Sequence, residues 1–289
     1  MEQYSRGSSI GLLIAYCGIE GSFASQATAR LLPGARRIGY PTFEEAYDAV
    51  KNDECEAALL PLENNYAGEI GAVIDLMFTG KLCVAGVFKF EVNQCLLGVP
   101  GSTRQSIKRV LSHPQAIEQC TKYLRKNKIE AIPYSNTATA ARRAAQHGSL
   151  AFGAIASAET AKLYGLEILD ADINDNSDNI TKFVLLTKGD GVCCNYVSKK
   201  SDINIIMFTV DNSPGSLAQV LFIPGIYGYN LRVIRSRSCL KFRNRPNIGQ
   251  DWEYYFYVEI EGDLFSDEGK EMIKTMTKTC RSFKIVGKY

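Results

Sequence analysis

The chain has 289 residues, of which 46% are apolar and 22% charged, and its formal net charge at pH 7 is +2. This length is sufficient for two domains, or one large domain, with a well-buried core. The nearly balanced charge gives no electrostatic case for binding nucleic acid or an anionic membrane surface. No apolar run is as long as a membrane span, and the first ten residues lack the pattern of a signal peptide. These features predict a cytoplasmic protein without a nucleic-acid or membrane partner.

The cysteines and histidines narrow the chemistry further. The nine cysteines are scattered from Cys17 to Cys280 without a CxxC spacing. Scattered single thiols favour a reducing compartment, and we expect them to be free and mostly buried. Because the chain has only two histidines, His113 and His147, a histidine-built metal site is not expected.

The first predicted unit is a strand over residues 12–16, followed by a glycine turn and a helix that extends to residue 32. Gly21, Ser22 and Phe23 lie where the turn enters the helix. A helix start presents free backbone N–H groups and the positive end of the helix dipole to an anion. The segment therefore predicts either a ligand contact or an ordinary first turn of an α/β protein.

Polar side chains follow two further predicted strands. Glu63, Asn64 and Asn65 come after a strand over residues 57–61, and Ser112 ends a strand over residues 107–111. Ligands of open α/β sheets bind beyond the carboxyl ends of the strands. Ser112, and Gln119 on the helix after it, interest us more than His113, since both can bond neutral or charged oxygens. A later helix begins near Thr137 and Ala138. Each segment also suits an ordinary turn or helix cap.

The polar run of residues 176–179 leads into Thr181, Lys182 and Phe183 and then into an apolar, β-branched run. This pattern predicts a turn followed by a strand, with Thr181 and Lys182 at the junction. A hydroxyl beside a fixed positive charge suits a small anionic substrate that gains or loses a proton. We place the centre of the chemistry here.

Strands alternate with helices over residues 12–186, which predicts a largely parallel α/β sheet architecture. Residues 189–202 are predicted to form a linker. The remainder, residues 203–289, reads as a smaller unit with the element order βαββαβ. Such a unit suits regulation or dimerisation.

Taken together, these segments resemble the prephenate dehydratase family followed by an ACT domain, and the resemblance extends over residues 12–286. It is carried by residues 18–23, 61–64, 112–116, 119–120, 137–141, 154–157, 164–166, 179–183 and, in the C-terminal part, 212–218. Because no chorismate mutase segment is found, the chain looks like the monofunctional type.

The resemblance implies a catalytic domain over residues 10–188, made of two α/β subdomains that form a cleft like that of periplasmic binding proteins. The first subdomain would comprise residues 10–88 and 167–188, and the second residues 89–166. A small α+β ferredoxin-like ACT domain with βαββαβ order would follow over residues 203–289. The implied reaction is decarboxylative dehydration of prephenate to phenylpyruvate in phenylalanine synthesis, without a cofactor.

The resemblance also assigns roles by position. Thr181 would protonate the departing hydroxyl, and Lys182 would bind a carboxylate, although the family has Arg there and Arg grips carboxylates differently. Asn64, Ser112 and Gln119 would hold the substrate, and Glu63 would fix the Asn64 loop. The other expected substrate contacts are Asn65, Gly21, Ser22, Phe23, Thr137, Ala138 and Phe183.

In the ACT-like part, the resemblance implies an effector site for phenylalanine. Its expected residues are Asn212, Pro214, Gly215, Ser216, Leu217 and Asn230. Arg235 stands where the family has Glu, so control by phenylalanine is in doubt. Pro224 and Gly225 are expected to shorten or break the first helix. An ACT domain usually works in pairs, which predicts a homodimer or a dimer of dimers (a homotetramer).

Three alternatives stay open. The substrate could be arogenate, which differs from prephenate by an amino group in the side chain. A prephenate decarboxylase that keeps the hydroxyl is less consistent with Thr181. A non-catalytic amino-acid sensor on the same fold would be consistent with the changes at Lys182 and Asn65.

Overall fold

The computed structural model describes residues 11–176, 178–189, 202–239 and 254–289. The predicted linker over residues 189–202 lies almost entirely outside the described residues, as do Cys193 and Cys194. Within the described part, the chain divides into two compact units. We call the described residues of Ser8–Val73 and Val87–Leu185 the cleft unit, and those of Ile74–Gly86 and Leu186–Tyr289 the C-terminal unit.

The strands are β1 (Leu13–Cys17), β2 (Arg36–Tyr40), β3 (Ala57–Asn64), β4 (Gly68–Glu69), β5 (Cys83–Glu91), β6 (Cys95–Gly98), β7 (Arg109–Ser112), β8 (Glu130–Pro133), β9 (Phe152–Ala156), β10 (Glu167–Asp170), β11 (Ile180–Thr187), β12 (Ile203–Thr209), β13 (Asn230–Ser238), β14 (Tyr254–Glu261) and β15 (Ser282–Lys288). The helices are α1 (Phe23–Leu31), α2 (Phe43–Lys51), α3 (Gly71–Thr79), α4 (Pro114–Glu118), α5 (Thr121–Asn127), α6 (Thr137–His147), α7 (Ala158–Tyr164), α8 (Ser216–Ile226) and α9 (Asp267–Thr279).

The first sheet of the cleft unit has the strand order β11-β3-β1-β2, with β4 beside β3. Its core strands are continuous apolar runs, and β1 is parallel to both β2 and β3. Helix starts are set by side-chain caps. Thr42 Oγ1 accepts from the backbone N–H of Glu45, as the capping-box pattern predicts. This order brings the ends of β3 and β11, with their polar residues, side by side.

The second sheet of the cleft unit has the order β10-β6-β9-β7-β8. Strand β7 is parallel to β8 and β9, but β6 is antiparallel to both β9 and β10. The cleft unit is therefore a mixed α/β structure with two sheets, as expected of a periplasmic-binding-protein-like fold, although its second sheet is less parallel than the chain pattern predicts. The residue boundaries predicted for the two subdomains stay predictions.

The C-terminal unit contains an antiparallel sheet with the order β13-β14-β12-β15. Helices α8 and α9 cover one face around an apolar core that includes Phe208, Val258 and Met272. The element order β12-α8-β13-β14-α9-β15 is the predicted βαββαβ order. On the other face, Asp75 is buried and receives hydrogen bonds from Arg237 and Tyr255.

Helix α8 corrects one expectation. It runs from Ser216 to Ile226 with Pro224 inside it, so the prediction that Pro224 would break the helix is wrong. Pro224 lies in the last turn, where the lost N–H removes a single hydrogen bond and the helix ends soon afterwards. The N–H of Tyr227 closes this end by bonding the carbonyl of Pro224.

The seven cysteines in the described residues are all free, and five of them are buried, which confirms the expected pattern there. No helix among the described residues is long and apolar enough to cross a membrane.

Candidate active site

A cleft of about 380 Å³ opens within the cleft unit. One wall comes from the β1–α1 turn and the ends of β3 and β11, and the other from the segment before β6, the starts of α4 and α6, and Gln119. Both sheets of the unit therefore contribute to the cleft. Its lining includes the hydroxyl of Thr181 and the aromatic rings of Phe23, Phe43 and Phe183.

Thr181 and Asn64 are the central polar pair of this cleft. They lie on the neighbouring strands β11 and β3, and both are more than nine-tenths buried. The Nδ2 of Asn64 donates to Thr181 Oγ1 at 3.0 Å. Since that hydroxyl oxygen already accepts a hydrogen bond, its own hydrogen is available for an acceptor in the cleft. The geometry thus presents Thr181 as a hydrogen-bond donor.

The orientation of the Asn64 amide is fixed by backbone groups. Its Oδ1 accepts from the N–H groups of Tyr66 and Ala67, at 3.0 and 2.9 Å. Because a carbonyl oxygen must face those two donors, the Nδ2 must face Thr181 and Asn179. The turn after β3 therefore determines the polarity of the pair.

A chain of side-chain amides extends from Asn64 to the opposite wall. Asn64 Nδ2 donates to Asn179 Oδ1 at 2.8 Å, and Asn179 Nδ2 donates to Gln119 Oε1 at 2.9 Å. Gln119 Oε1 also accepts from Gln94 Nε2 at 3.4 Å. Each amide fixes the orientation of the next, so the direction set at Asn64 is transmitted to Gln94.

The polar groups that line the cleft are uncharged, and most of the lining surface is apolar. None of the described lining residues is Lys, Arg, Asp or Glu. His113 lines the cleft, and burial lowers its pKa below the ordinary value, which favours the neutral ring near pH 7. Its Nδ1 accepts from the N–H of Gln115, so the hydrogen of the neutral ring is assigned to Nε2.

Helix starts supply positive potential in place of charged side chains. Phe23 and Ala24 at the start of α1 and Thr137 at the start of α6 line the cleft. The first N–H groups of a helix have no partner within the helix, and they carry the positive end of its dipole. Ser22 and Asn136 cap these two helices and leave the first amides available to an anion.

Glu63 and Lys182 occupy the opposite face of the first sheet. Successive side chains of a strand point to opposite faces, so Lys182 points away from Thr181, and Glu63 away from Asn64. Lys182 Nζ lies 3.3 Å from Glu63 Oε2, and neither side chain is part of the cleft lining. The predicted contact between Lys182 and a substrate carboxylate stays a prediction, and this position does not favour it.

The structure brings together about half of the predicted site residues. Those that line the cleft are Thr181, Asn64, Gln119, Ser22, Phe23, Thr137 and Phe183. Ser112 lies outside the lining, where it is fully buried and donates to the carbonyl of Ile155 at 2.6 Å. This bond ties β7 to β9 and positions the following residue, His113, at the cleft.

Three other predicted contacts also lie outside the lining. Asn65 bonds the backbone of Ile180, its Oδ1 accepting at 2.9 Å, and so holds the start of β11. Gly21 faces α7, where a Cβ atom would come within 2.8 Å of Leu163, and its φ of +85° favours glycine. Ala138 is fully buried behind the first turn of α6. These residues support the walls of the cleft.

Gln94, which lines the cleft, and Asn179, which links it to Asn64 through Gln119, are members of the amide chain that the sequence patterns do not select. Asn179 lies in the polar run before β11, but its role depends on its distance to Gln119, which is 60 residues away in the chain. Gln94 comes just before β6 in a segment without a motif, so no local signal points to it.

The residues predicted to bind an effector lie in the C-terminal unit. Asn212 and Pro214 are exposed in the turn before α8, and Gly215 is the cap residue of that helix. Asn230 is exposed at the first position of β13. Their role in binding stays a prediction.

Comparisons with known proteins identify the family of the chain. The model of the prephenate dehydratase family matches residues 14–190. Arogenate dehydratase/prephenate dehydratase 1 of Arabidopsis thaliana is 32% identical over 294 residues, which cover 99% of this chain and 74% of the relative. A bifunctional chorismate mutase/prephenate dehydratase of Buchnera aphidicola is 28% identical over 250 residues, with 86% and 62% covered.

Two solved structures share the fold. A prephenate dehydratase from Arthrobacter aurescens in complex with L-Phe has a TM-score of 0.84 at 24% identity, over 96% of this chain and 89% of that one. A structure described as GqqA, a quorum-quenching acylase, has a TM-score of 0.83 at 26% identity, over 96% and 97%.

The match to the family model and to the dehydratase relatives, on this two-sheet α/β fold, defines an enzyme of the lyase class. The matched family specifies the reaction within this class. The chain belongs to the prephenate dehydratase family, which dehydrates prephenate in phenylalanine synthesis.

Proposed function

We propose that this chain converts prephenate to phenylpyruvate, CO₂ and water, with Thr181 as the proton donor to the departing hydroxyl. The observation that carries the proposal is the bond from Asn64 Nδ2 to Thr181 Oγ1, which directs the threonine hydrogen into the cleft. The reaction needs such a donor, because hydroxide is a poor leaving group and water is a good one.

The proposed step balances as follows. The bond between the ring and its carboxylate breaks, and its electron pair enters the ring. The ring then loses its hydroxyl, which takes the proton of Thr181 and departs as water, while solvent later returns a proton to Thr181. Threonine is a weak acid, but the Asn64 N–H stabilises the negative charge that develops on Oγ1, and both side chains are more than nine-tenths buried.

The same cleft suits the two carboxylates of the substrate. Residues at the starts of α1 and α6, and His113, line the cleft, so the first amides of these helices and the His113 Nε2–H are the proposed donors to the carboxylates. Helix starts bind anions without a mobile charged side chain, so the substrate is held in a fixed orientation. Phe183 and Phe23 supply apolar surface for the ring.

Glu63 and Lys182 have a supporting role in this proposal. Their ion pair lies behind Asn64 and Thr181, on the other face of β3 and β11. It links the two strands that carry the catalytic pair. Glu63 thus helps to hold the Asn64 turn, as the family resemblance implies, and Lys182 acts as its partner.

The test is the formation of phenylpyruvate from prephenate by the purified full chain. The phenylpyruvate is measured by its absorbance in alkali. Turnover that depends on Thr181 supports the proposal. Binding of prephenate without turnover would instead favour the alternative of a non-catalytic sensor. A product that keeps the ring hydroxyl would identify a decarboxylase.

The likeness to a quorum-quenching acylase introduces hydrolysis as a second candidate. An acylase needs an activated nucleophile. Ser112 is fully buried with its hydroxyl bonded to Ile155, and burial raises the pKa of Cys17, which lines the cleft, to about 11. Neither residue is poised as a nucleophile, so the described cleft favours dehydration.

The C-terminal unit is proposed to be an ACT domain that binds phenylalanine. Its βαββαβ order and the Gly215 turn before α8 support this assignment. Arg235, in place of a family Glu, lies over the ring of Tyr257, with the guanidinium carbon 5.3 Å from its centroid. Calorimetry with phenylalanine, and turnover in its presence, test both binding and control.

Self-association through the C-terminal unit is also proposed. Phe222 and Ile226, one turn apart on α8, are 70% and 64% exposed, and Ile234 on β13 is 46% exposed. Ile234 pairs with Val258 and so faces the same side of the sheet as the helices. An apolar strip beside the edge strand β13 suits a second copy. A homodimer or homotetramer that dissociates on Phe222→Asp, measured by light scattering, would support it.

The free thiols favour a reducing compartment, and we propose the cytoplasm.

A further inference from the structure

Gln94 carries a buried hydrogen-bond acceptor without a partner in the wall of the cleft. The residue is 2% exposed and lines the cleft, and its Oε1 receives no hydrogen bond. A buried polar atom that stays unpaired costs free energy, and such atoms in native proteins mark places where a ligand or water supplies the partner. Neither Thr181 nor Asn64 needs this atom for the proposed proton transfer.

The acceptor cannot easily become a donor. Gln94 Nε2 faces Gln119 Oε1, which also accepts from Asn179 Nδ2. Rotating the Gln94 amide by half a turn would place its oxygen against the Gln119 oxygen. The Gln119 orientation follows from Asn179 and Asn64, and the latter is fixed by backbone N–H groups. Gln94 therefore presents an oxygen to the ligand.

The position of Gln94 Oε1 in the cleft determines which end of the substrate this oxygen contacts. Thr181 and Gln94 are at opposite ends of the amide chain. Prephenate and arogenate also have two ends, a ring hydroxyl and a three-carbon side chain. Because Thr181 and Gln94 both line the cleft, we take a pose in which the ring hydroxyl lies at Thr181 and the side chain at Gln94. Its ketone in prephenate can only accept, whereas the amino group in arogenate can donate.

We infer that Gln94 is a specificity residue whose fixed acceptor binds the side-chain amino group of arogenate, so that this amino-acid substrate is favoured over its keto-acid counterpart. The inference rests on the proposed function, because it uses the same cleft and the same Thr181 chemistry. The described lining holds no Asp or Glu, so an ammonium group in the cleft depends on neutral oxygens such as Gln94 Oε1. A site built to bond a substrate N–H rejects the analogue that lacks it.

Two variants test the inference in opposite directions. Gln94→Met keeps a similar volume and removes the acceptor. The ratio of kcat/KM for arogenate to kcat/KM for prephenate should fall roughly 10- to 100-fold, as expected for a lost hydrogen bond to a charged group. Gln94→Glu keeps an acceptor toward the ligand and adds negative charge, although it loses the donor to Gln119 and should weaken turnover of both substrates. The same ratio should nevertheless rise by about threefold or more. General damage to the fold would lower kcat/KM for both substrates alike. A ratio that falls in Gln94→Met and rises in Gln94→Glu would therefore exclude it.

Ser102→Ala is the matched control, since Ser102 Oγ is also buried and unpartnered but lies outside the cleft lining. It should leave the ratio unchanged. If both substrates lose activity equally in Gln94→Met, the acceptor bonds the ring hydroxyl that they share, and the inference is wrong. A wild-type protein that converts only prephenate also overturns it, although the proposed function would stand.

If the wild-type protein converts neither substrate, the proposed function fails. The role of Gln94 is then decided by calorimetry, because the ratio of the two dissociation constants should shift with the same signs. If the ratio of dissociation constants is unchanged in both variants, only the role of Gln94 is contradicted.

Discussion

Two pairs of residues at the ends of β3 and β11 differ in chemistry although they are neighbours in sequence. Asn64 and Thr181 face the cleft, are more than nine-tenths buried and form a neutral hydrogen bond. Glu63 and Lys182 face the other side of the sheet, are 24% and 31% exposed, and form an ion pair. The alternation of side chains along a strand separates the two pairs.

In the proposed mechanism, this difference separates a catalytic pair from a supporting pair. An ion pair buried in the cleft would carry a large desolvation cost and would compete with the substrate for its partners. A neutral amide at the same place fixes the direction of the Thr181 hydroxyl without that cost. The charged pair remains where water reaches it and links the two strands from behind. We therefore expect the chemical step to depend on the cleft pair far more than on the ion pair.

Replacement of Thr181 should have the largest effect. Thr181→Val keeps the shape of the side chain and removes the proton donor, so kcat for prephenate should fall roughly 10²- to 10⁴-fold, the usual contribution of a general acid. KM should change little, because the substrate is held mainly by other groups. Steady-state kinetics on the full chain measure both values.

Thr181→Ser restores a hydroxyl at the same position and is the control for this prediction. It should recover most of the lost rate. A Thr181→Val protein that retains wild-type turnover would exclude the donor role of Thr181. The proton for the departing hydroxyl would then have to come from another group in the cleft.

Asn64→Asp should have the next largest effect, because it reverses the polarity of the pair. The carboxylate can still accept from Tyr66 and Ala67, but it also accepts the Thr181 hydrogen that the substrate needs. We expect kcat to fall roughly 10- to 10³-fold. In this variant a carboxylate oxygen faces Asn179 Oδ1 in place of the Asn64 Nδ2 donor, so this hydrogen bond is lost. The loss should lower the free energy of unfolding by about 1–3 kcal/mol.

Denaturant titration and steady-state kinetics check the two parts of this prediction. Asn127→Asp makes the same chemical change on α5, outside the cleft, and should alter neither value by much. Equal kinetic effects of the two substitutions would mean that the polarity of Asn64 is unimportant.

Much of this site was predictable from the sequence, because local patterns carry it. The polar run before an apolar strand predicted the position of Thr181, and the helix-capping patterns predicted the starts of α1 and α6. The element order also predicted an α/β sheet architecture followed by a βαββαβ unit. Each of these features depends on residues that are close in the chain.

The remainder depends on which face of a strand a residue occupies and on contacts between distant segments. Thr181 and Lys182 are adjacent, so a pattern that selects one selects the other, and only the register of β11 separates them. Ser112 directly precedes His113, and the local pattern does not indicate that His113 caps α4 and lines the cleft while Ser112 is buried. Gln94 meets Gln119 across 25 residues, and no pattern records that contact.

His113 should have a smaller effect, which extends the comparison to the far wall of the cleft. His113→Asn keeps a cap acceptor for α4 and removes the Nε2–H donor. The value of kcat should change little, and KM should rise by about tenfold, as for a lost hydrogen bond to an anion. A KM within error of the wild type would exclude His113 from the carboxylate site.

The same residue predicts a pH dependence of stability. Burial lowers the pKa of His113 in the folded chain, so the unfolded chain takes up its proton at a higher pH. The free energy of unfolding should therefore decrease as the pH falls below the ordinary histidine value of about 6.5. In His113→Asn this contribution is absent. Thermal melts at pH 5.5 and 7.5 should show a smaller difference for the variant than for the wild type.

Lys182→Met should have the smallest effect and tests the comparison directly. If Lys182 acts only as the partner of Glu63, kcat and KM should each stay within about threefold, and a partly exposed ion pair contributes only about 1 kcal/mol to stability. If Lys182 instead binds a substrate carboxylate, KM should rise more than about tenfold, since a charged contact is lost. Glu63→Gln separates the two cases, because it releases Lys182 without removing its charge. A rise in KM for Lys182→Met but not for Glu63→Gln would mean that Lys182 reaches the substrate, and the two faces would then share the work of binding.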